Sequence, residues 1–432
     1  MKYIIDIIYF FALIAYSPKI IYRAIKQRRY RKGWAQRFGK ISRNQPDKKC
    51  IWIHAVSVGE VNATRTIVAE LKKRLPDYEV VISATTDTGF ERAEKLYSDE
   101  LSVFFYPFDF SYVVRRAFKN LKPDICLLME LEVWPNFTFY AKKHNIPVVV
   151  INGRISDNSF PKYKLIKLLV KPVFSKIALF LAQSAEYAER FIALGGRKEA
   201  TFIAGSLKYD TADTTENIPG EDKLAEQINL NDQRLFVAGG TGPDEEKIIL
   251  DVFKKLKTEP KFADVRLAVV PRKPERFDEV ASLIEQSGFS ITRYSQIKSG
   301  ANNRSVSKDS VILGDTMGDL RKFYFISTIV FVGRSLVPMG GSDMMESTAM
   351  GKCTIFGAFT FNFKQAVDAL LAKNGAIEVN DGNELFAAVK KCLSEPQYAK
   401  LIAANGRRVI IENQGATQKS VDAIVSLLTS RS

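Results

Sequence analysis

Short apolar runs alternate with amphipathic stretches of helical period through most of this chain, and this alternation restricts the possible folds more than any other feature. The first cycle covers the ranges 51–54, 61–74, 79–83 and 88–96. Strands that alternate with helices form parallel sheets, because each helix returns the chain across the sheet to begin the next strand. Further strands of this series are predicted at 125–129, 148–151 and 178–182. The chain is therefore predicted to have an α/β fold.

A polar stretch at 210–231 separates this series from a second one. It contains Pro219 and Gly220 and few apolar residues, so we predict a linker. The strands predicted after it lie at 235–238, 266–270, 311–313, 328–332 and 353–356. With 432 residues the chain is long enough for two domains, and the pattern predicts that both are doubly wound. Ligands of such folds bind at the carboxyl ends of the strands, so we expect a site in the cleft between the domains.

The N-terminal segment has a different character. Residues 3–16 are apolar apart from Asp6, and nine Lys or Arg follow between Lys19 and Lys40 without an acidic residue. A secretory signal carries its positive charge before the apolar run, so this segment is predicted to be an uncleaved membrane anchor. The run is shorter than the roughly 20 residues that cross a bilayer, so a spanning helix and an interfacial helix both stay open. A buried first helix with a solvated basic extension is the alternative.

Positive charge behind the apolar run sets the expected orientation. The positive-inside rule places the body of the protein on the cytoplasmic side, with these residues against anionic headgroups: Lys26, Arg28, Arg29, Arg31 and Lys32. A second basic and apolar stretch, 160–171, suits a membrane interface or the phosphates of a lipid, and an ordinary surface helix is the alternative.

The overall charge points to partners that carry phosphate. The chain has 63 Lys and Arg against 48 Asp and Glu, a formal net charge of +15, which suits nucleic acid or anionic lipid. The sequence contains no nucleic-acid-binding motif and the basic excess clusters behind the apolar run, so we expect no nucleic-acid partner. Two His and four widely spaced Cys form no metal or disulfide pattern, so catalysis is expected to depend on carboxylates.

Two loops after predicted strands carry candidate carboxylates. In the first, Ser57 and Gly59 precede Glu60, which stands at the start of a predicted helix. A carboxylate there is a candidate general base, and it is as commonly a residue that compensates the helix dipole. In the second, Glu130 and Glu132 stand before a Trp-Pro pair, a combination that suits a polyhydroxylated sugar or an ordinary solvated loop.

A third group of loops lies in the second series, between Gly314 and Glu346. Its glycines would allow the backbone amides of a helix N-terminus to approach a phosphate. The group includes Met317, Gly318, Gly340, Gly341 and Ser342.

Taken together, these segments resemble the 3-deoxy-D-manno-octulosonic acid (Kdo) transferases of lipopolysaccharide synthesis. The matching segments run in the same order along nearly the whole chain: 30–39, the SVGE run ending at Glu60, 130–136, 152–156, 205–210, 270–277, 314–320, 361–363 and 413–416. The resemblance implies a GT-B fold, in which two Rossmann-like doubly wound domains face each other across a cleft, with an N-terminal membrane-anchor helix. The implied divisions are an anchor and basic segment at 1–45, an acceptor domain at 46–215 and a donor domain at 216–432, with the last helix able to pack back on the acceptor domain.

The resemblance also implies an activity and a role for each site residue. The family transfers Kdo from CMP-Kdo to a lipid A precursor with inversion, at the cytoplasmic face of the inner membrane and without a cofactor. Glu60 resembles the general base. The expected acceptor-binding residues are Ser57, Gly59, Glu130 and Glu132. The expected donor-binding residues are Pro271, Arg272, Met317, Gly318, Gly340, Gly341, Ser342 and Glu346. The chain contains no Asp-x-Asp motif, so no catalytic metal is expected.

The sequence departs from the family pattern at four donor-side histidines. The replacing segments are Gly239–Glu246, Lys273, Gly340–Asp343 and Gly357–Phe359. Lys273 can still offer a cation to phosphate, and Ser342 can still donate a hydrogen bond. Two alternatives follow from these changes: a GT-B enzyme that uses another nucleotide sugar on a lipid acceptor, and a catalytically weakened homologue that binds lipid A. The number of Kdo residues added stays open.

Overall fold

The computed structural model describes residues 2–26, 32–215, 218–300 and 307–430. The chain forms two compact units, each built around a seven-stranded parallel sheet, so the predicted α/β class with two doubly wound sheets is confirmed. The first unit comprises Met1–Thr211 and Asn413–Ser432, and the second comprises Ala212–Glu412. The boundary between the two domains was predicted after residue 215, and the structure divides the two units after Thr211.

The strand order of the first unit is β3-β2-β1-β4-β5-β6-β7. The strands are β1 (Lys49–Ala55), β2 (Tyr78–Ala84), β3 (Ser102–Phe105), β4 (Ile125–Met129), β5 (Val148–Gly153), β6 (Leu179–Ala182) and β7 (Thr201–Ile203). The helices are α1 (Lys2–Lys26), α2 (Trp34–Arg37), α3 (Val58–Arg74), α4 (Asp87–Tyr97), α5 (Ser111–Leu121), α6 (Pro135–Lys143), α7 (Phe160–Leu165), α8 (Lys167–Phe174), α9 (Ala185–Ala193) and α10 (Leu207–Asp210). The order reverses between β1 and β4, which creates a crevice at the carboxyl ends of these two strands.

Helices cover both faces of this sheet, which is why its central strands are apolar at nearly every position. Trp52 of β1 packs in the core on one face, and its neighbours Ile51 and Ile53 pack in the core on the other. The chain returns from the second unit to this one at Asn413, and its last helix, α20 (Ala416–Thr429), packs on α3. Val421 and Ile424 of α20 complete the core on that face.

The strand order of the second unit is β10-β11-β9-β8-β12-β13-β14, with its reversal between β8 and β12. The strands are β8 (Arg234–Thr241), β9 (Val265–Pro271), β10 (Ile291–Arg293), β11 (Val311–Leu313), β12 (Ile329–Val332), β13 (Cys353–Gly357) and β14 (Ile377–Val379). The helices are α11 (Glu221–Gln227), α12 (Glu245–Lys257), α13 (Phe277–Gln286), α14 (Tyr294–Lys298), α15 (Leu320–Ile326), α16 (Met344–Ala349), α17 (Lys364–Ala372), α18 (Gly382–Ser394) and α19 (Pro396–Asn413).

The predicted linker is wrong in its extent. The range 210–231 contains the end of α10 and all of α11. Leu224 and Ile228 of this segment are fully buried in the core of the second unit, whereas Glu226 between them is exposed. Sparse apolar residues at helical spacing were therefore enough for a short amphipathic helix. The prediction also omitted β3, β7, β10 and β14, which are three or four residues long.

Helix α1 exposes most of its apolar side chains. Phe10 is 55% exposed and Phe11 is 65% exposed, which contradicts the alternative of a buried first helix. Among the described residues, the structure contains no helix with the length and apolar character needed to cross a bilayer. Of the predicted basic cluster, Arg28, Arg29 and Arg31 lie outside the described residues.

The predicted basic stretch 160–171 forms the two short helices α7 and α8, separated at Ile166. Leu165 is 87% exposed, Leu168 is 89% exposed and Leu169 is 73% exposed. Four exposed lysines surround these leucines: Lys162, Lys164, Lys167 and Lys171. An ordinary surface helix buries its leucines and exposes its lysines, so this apolar and basic surface is not an ordinary one.

Candidate active site

Glu60 lies in the first turn of α3, directly after the carboxyl end of β1. Ser57 is the N-cap residue of this helix, and its Oγ accepts a hydrogen bond from the Glu60 amide at 3.4 Å. The Glu60 carboxylate turns back on the loop. Its Oε1 accepts from the Ser57 hydroxyl at 2.9 Å, and its Oε2 accepts from the Val56 amide at 2.9 Å. The arrangement is a close relative of a capping box, so Glu60 does fix the start of its helix.

The environment of Glu60 is unusual for a capping residue. Burial raises the pKa of its carboxyl to about 7, and the charges of Glu130 and Glu132 act in the same direction. The hydrogen bonds from Val56 and Ser57 lower the pKa and only partly offset this effect. A carboxyl group that titrates near neutral pH is suited to accept and release a proton under physiological conditions. Glu60 is therefore a candidate general base as well as a cap.

Glu130 and Glu132 lie at the carboxyl end of β4, which pairs directly with β1. Glu130 has φ 53°, and its amide donates to the Ile151 carbonyl at 3.0 Å. The indole of Trp134 donates to Glu132 Oε2 at 3.1 Å. Burial raises the pKa of Glu132, and the charge of Glu130 adds to this effect. The reversal of strand order thus brings three carboxyl groups from two segments of chain to one crevice.

The next strand of the sheet, β5, brings a cation to the same edge. Arg154 follows β5 directly, and β5 pairs with β4 through Met129 and Ile151. The Arg154 Nε is buried and has no hydrogen-bond partner among the described residues. Arg154 belongs to a segment that matches the family, but it was absent from the expected site residues. Its position at a strand end beside β4 is the signal that could have found it.

In the second unit, Glu245 and Glu246 lie in the segment where the family histidine is missing, and both are completely buried. Glu245 accepts hydrogen bonds from the amides of Ser335 at 2.7 Å and Leu336 at 2.8 Å, and Gly242 donates to it at 3.1 Å. Glu246 pairs with Arg276 at 2.6 Å. Glu245 therefore joins the start of α12 to the loop after β12, and Glu246 joins it to the segment after β9.

The glycine-rich segment before α16 is a tightly bonded turn. The Gly341 amide donates to the Arg334 carbonyl at 2.8 Å, and the Ser342 amide donates to the Gly333 carbonyl at 2.9 Å. The Ser342 hydroxyl donates to the Gly240 carbonyl at 2.7 Å. The Gly341 amide and both Ser342 donors therefore bind carbonyl groups within the loop, and the expected approach of backbone amides near these glycines to a phosphate stays a prediction.

Arg272 and Glu346 both lie near the buried hydroxyl group of Tyr324. Burial raises the pKa of Tyr324, the charges of Glu346 and Asp343 add to the effect, and Arg272 opposes it. Arg272 is exposed directly after β9, where Pro271 is buried. Glu346 lies in the first turn of α16, with Arg321 3.8 Å from its carboxylate.

The loop after β11 carries Met317 and Gly318. Met317 is 69% exposed, and Gly318 has φ 91°. Asp319 secures the loop by accepting from the Thr316 hydroxyl at 2.7 Å and from Lys298 and Lys322. Since β11 pairs with β9, this loop and Arg272 lie at the same edge of the sheet.

Comparisons with known proteins identify relatives of this chain. A family model described as 3-deoxy-D-manno-octulosonic-acid transferase matches residues 32–211. The 3-deoxy-D-manno-octulosonic acid transferase of Haemophilus influenzae is 34% identical over 403 residues, covering 93% of this chain and 92% of that protein. A bifunctional glycosyltransferase/methyltransferase of Fusobacterium nucleatum is 36% identical over 351 residues, covering 81% of this chain. That match covers only 53% of the Fusobacterium protein, about half its length.

Solved structures support the fold. A glycosyltransferase from Rickettsia africae has a TM-score of 0.58 at 16% identity, covering 89% of this chain and all of that one. A UDP-N-acetylglucosamine 2-epimerase has a TM-score of 0.55 at 13% identity, covering 89% of this chain and 98% of that one. At these identities the likeness concerns the fold alone, and it confirms the expected GT-B class.

Proposed function

This chain belongs to the 3-deoxy-D-manno-octulosonic acid transferase family of glycosyltransferases, and we propose that it transfers Kdo from CMP-Kdo to a lipid A precursor with Glu60 as general base. One observation carries the proposal. At the reversal of strand order in the first unit, burial and two neighbouring carboxylates hold the pKa of Glu60 at about 7. A doubly wound sheet binds its ligands at this position, so a carboxyl group whose pKa suits proton transfer lies where the acceptor is expected.

The donor sugar is already activated by its bond to CMP, so the reaction chiefly requires a base for the acceptor hydroxyl. The Glu60 carboxylate takes the proton of the acceptor hydroxyl, and the hydroxyl oxygen forms a bond to the anomeric carbon of Kdo. The bond from that carbon to the phosphate oxygen breaks, and CMP leaves with the electron pair. One displacement of this kind inverts the anomeric centre. Orientation of the two substrates and stabilisation of the leaving phosphate would supply most of the rate enhancement.

Glu130 and Glu132 are proposed to bind the acceptor, together with Ser57 and Gly59. Carboxylates accept hydrogen bonds from sugar hydroxyls, and the Trp134 indole that holds Glu132 offers an apolar plane beside it. Arg154 is an additional candidate on this side because its buried Nε lacks a hydrogen-bond partner among the described residues. Its guanidinium would suit a phosphate of the acceptor.

Arg272 is the proposed cation for the CMP phosphate, because its exposed guanidinium stands at the end of β9. Lys273 stands next to it and is exposed, with its amine 3.9 Å from Glu275. Glu346 is proposed to accept from the ribose hydroxyls. The remaining proposed donor-side residues shape the loops around these groups: Pro271, Met317, Gly318, Gly340, Gly341 and Ser342. The loss of four family histidines keeps a uridine nucleotide sugar as the competing donor.

We also propose that the protein attaches to the cytoplasmic face of the inner membrane through α1, α7 and α8. Both regions expose apolar side chains that folded proteins normally bury, and the lysines of α7 and α8 would meet anionic headgroups. An interfacial position accounts for an apolar face on α1 that is exposed along most of the helix.

The proposed function is tested by incubating the protein with freshly generated CMP-Kdo and a tetraacylated lipid A precursor, followed by mass spectrometry. The acceptor mass should increase by one or more Kdo residues, and the increment reports how many are added. Calorimetry should show preference for CMP over UMP and UDP. A product formed only with a uridine nucleotide sugar would reject the proposed donor.

The variant Glu60→Gln separates the chemical role of Glu60 from its capping role, because a glutamine retains an oxygen that can accept from the Val56 amide. Transfer should fall at least a thousandfold while CMP binding is retained. Glu94→Gln, at an exposed position on α4 of the same unit, is the matched control and should transfer normally. Normal turnover of Glu60→Gln would remove Glu60 from the mechanism.

A further inference from the structure

Helix α6 begins directly after the loop that carries Glu130 and Glu132, and its capping residue comes from another part of the chain. Its N-cap residue is Trp134, whose side chain has no hydrogen-bond acceptor. Asp109 supplies the acceptors instead: its Oδ2 accepts from the Asn136 amide at 2.9 Å, and its Oδ1 accepts from the Phe137 amide at 2.7 Å. Both carboxylate oxygens are thus committed to the first turn of α6, and Asp109 is only 7% exposed.

Helix α5 has the same deficiency, because the side chain of its N-cap residue, Phe110, has no hydrogen-bond acceptor either. The missing acceptor comes from Asp6 of α1, about a hundred residues earlier in the chain. Asp6 Oδ1 accepts from the Ser111 amide at 2.9 Å, and Asp6 Oδ2 accepts from the Ser111 hydroxyl. Asp6 Oδ1 also accepts from the Asn136 side-chain amide at 2.9 Å. One residue of α1 therefore contacts the beginnings of both helices.

Tyr9 adds a second polar contact from the same face of α1, one turn further along. Its hydroxyl donates to Asp109 Oδ2 at 3.1 Å, and its ring packs edge-on against Phe110 with the centroids 6.0 Å apart. We call Asp6, Tyr9, Asp109 and Asn136 the latch. Helix α1 therefore makes its hydrogen bonds to the protein through Asp6 and Tyr9 and exposes most of its described apolar side chains, the reverse of an ordinary surface helix.

We propose that Asp6 and Tyr9 are positioning residues for the acceptor site. Through their hydrogen bonds with Asp109 and Asn136 they hold the beginning of α6, and with it the loop 130–134, in the conformation that binds the acceptor. The proposal rests on the proposed function for its account of what this loop binds. It assigns Asp6, the one acidic residue of the apolar N-terminal run, a role distinct from membrane attachment.

Trp134 connects the beginning of α6 with Glu132. This residue is the N-cap of α6, and its indole is also the donor that holds Glu132. If the first turn of α6 frays, Trp134 moves and Glu132 loses its hydrogen bond. Without Asp6, the side-chain amide of Asn136 keeps only the Asp109 carbonyl, 2.6 Å away, as an acceptor, and the Ser111 amide loses its acceptor. Both changes favour fraying at this end of the sheet.

Hydrogen exchange by mass spectrometry on the full-length protein in detergent tests the latch without any substrate. In Asp6→Ala and in Tyr9→Phe, exchange of residues 130–140 should become at least fivefold faster, while residues 245–257 of the second unit exchange at the wild-type rate. Asp6→Asn keeps one acceptor oxygen and should lie between wild type and Asp6→Ala. Ser17→Ala is the matched α1 control, because the Ser17 hydroxyl donates to the Ile14 carbonyl within the helix.

Steady-state transfer supplies a readout that a general loss of stability would not produce. The latch variants should raise the acceptor KM at least tenfold and leave the donor KM unchanged. Wild-type exchange at residues 130–140 in both Asp6→Ala and Tyr9→Phe would overturn the proposal, as would an equal rise in both KM values. If exchange rises in these variants but the wild-type protein transfers no Kdo, the latch holds the loop and it is the proposed function that fails.

Discussion

Glu60 fills two roles that usually belong to different residues. Its hydrogen bonds with Ser57 and Val56 complete a helix start, and its pKa of about 7 suits proton transfer. Both interpretations that the sequence left open for this residue are compatible with one geometry. The compatibility has a physical basis, since a capping carboxylate is already held in one orientation and only burial and neighbouring charge are needed to raise its pKa.

The pH dependence of transfer follows from this pKa. Glu60 acts as a base only when deprotonated, so kcat/KM for the acceptor should rise as the pH increases through about 7 and then level off. A pH–rate profile between pH 5 and pH 9 measures the midpoint. Replacing Glu132, whose negative charge raises the Glu60 pKa, should move the midpoint downward in Glu132→Gln. A midpoint near pH 4 in the wild type would contradict the environment described for Glu60.

Gly340 provides a second test at the scale of one residue. A Cβ there would lie 2.1 Å from Asn362 Nδ2 at a φ of 89°, whereas Gly288 has a φ of 88° with nothing within 4 Å. Gly288→Ala should cost about 1–2 kcal/mol through backbone strain alone. Gly340→Ala should cost at least about 1 kcal/mol more, because the clash displaces neighbouring atoms. Urea unfolding measures both, and equal losses would show that the clash relaxes freely.

At the scale of elements, short helices with exposed leucines distinguish the first unit. The leucines exposed by more than two thirds on α7 and α8 add little to the core, and exposed apolar clusters of this kind are typical of surfaces that contact a partner or a membrane. The lysines between them indicate an anionic surface. Together with α1, these helices form the proposed membrane-binding elements, and the latch explains how α1 attaches to the protein while its apolar side chains stay exposed.

The variant Leu168→Ser tests the membrane-binding elements. Burial of one leucine is worth about 1.5–3 kcal/mol, so binding to vesicles with anionic lipid should weaken roughly tenfold or more. Leu401→Ser on α19 is the matched control, since Leu401 is also exposed but belongs to the second unit. Cosedimentation measures both variants, and added salt should weaken wild-type binding by screening the lysines. Equal weakening in the two variants would argue against a specific surface on α7 and α8.

At the scale of the whole molecule, the path of the chain links the C-terminus to the first unit. Helix α20 packs on α3, the helix that begins with the Glu60 turn, and the amide of Gly415 donates to Asp210 at 2.7 Å. Helix α20 therefore contributes Val421 and Ile424 to the core behind the candidate base. A change in α20 is expected to affect the first unit and not the second, although the second unit precedes it in sequence.

Ile424→Ala tests this connection. Ile424 is fully buried on the α3 side of the sheet, so its truncation should cost about 2–4 kcal/mol. Hydrogen exchange should become faster in residues 58–74 and stay unchanged in residues 245–257. Ser426→Ala, at an exposed position on the same helix, is the control. Faster exchange confined to the second unit would contradict the assignment of α20 to the first.

Local pattern was sufficient to predict most elements of this protein. Strands β4 and β11 have the predicted limits, and most other predicted strands differ from the observed ones by one to three residues at an end, because an unbroken β-branched run between turn residues has few alternatives. Short strands such as β3 and β7 and the short helix α11 escaped prediction, since three to seven residues carry too little periodicity. Glu60 and the candidate carboxylates were found through motifs in strand-end loops, which also depend on local sequence.

The amino-acid sequence by itself determined the parallel α/β class and the position of the candidate base after the first strand. It also determined the two apolar and basic stretches that lie outside the core, at the N-terminus and at 160–171. Only the tertiary structure decided which strands are neighbours, that three carboxyl groups share one crevice, and that Asp6 and Asp109 cap helices far from them in sequence. Periodicity and turn chemistry act over a few residues. Strand order, burial and long-range caps arise from contacts between distant segments, and no local pattern specifies which segments will meet.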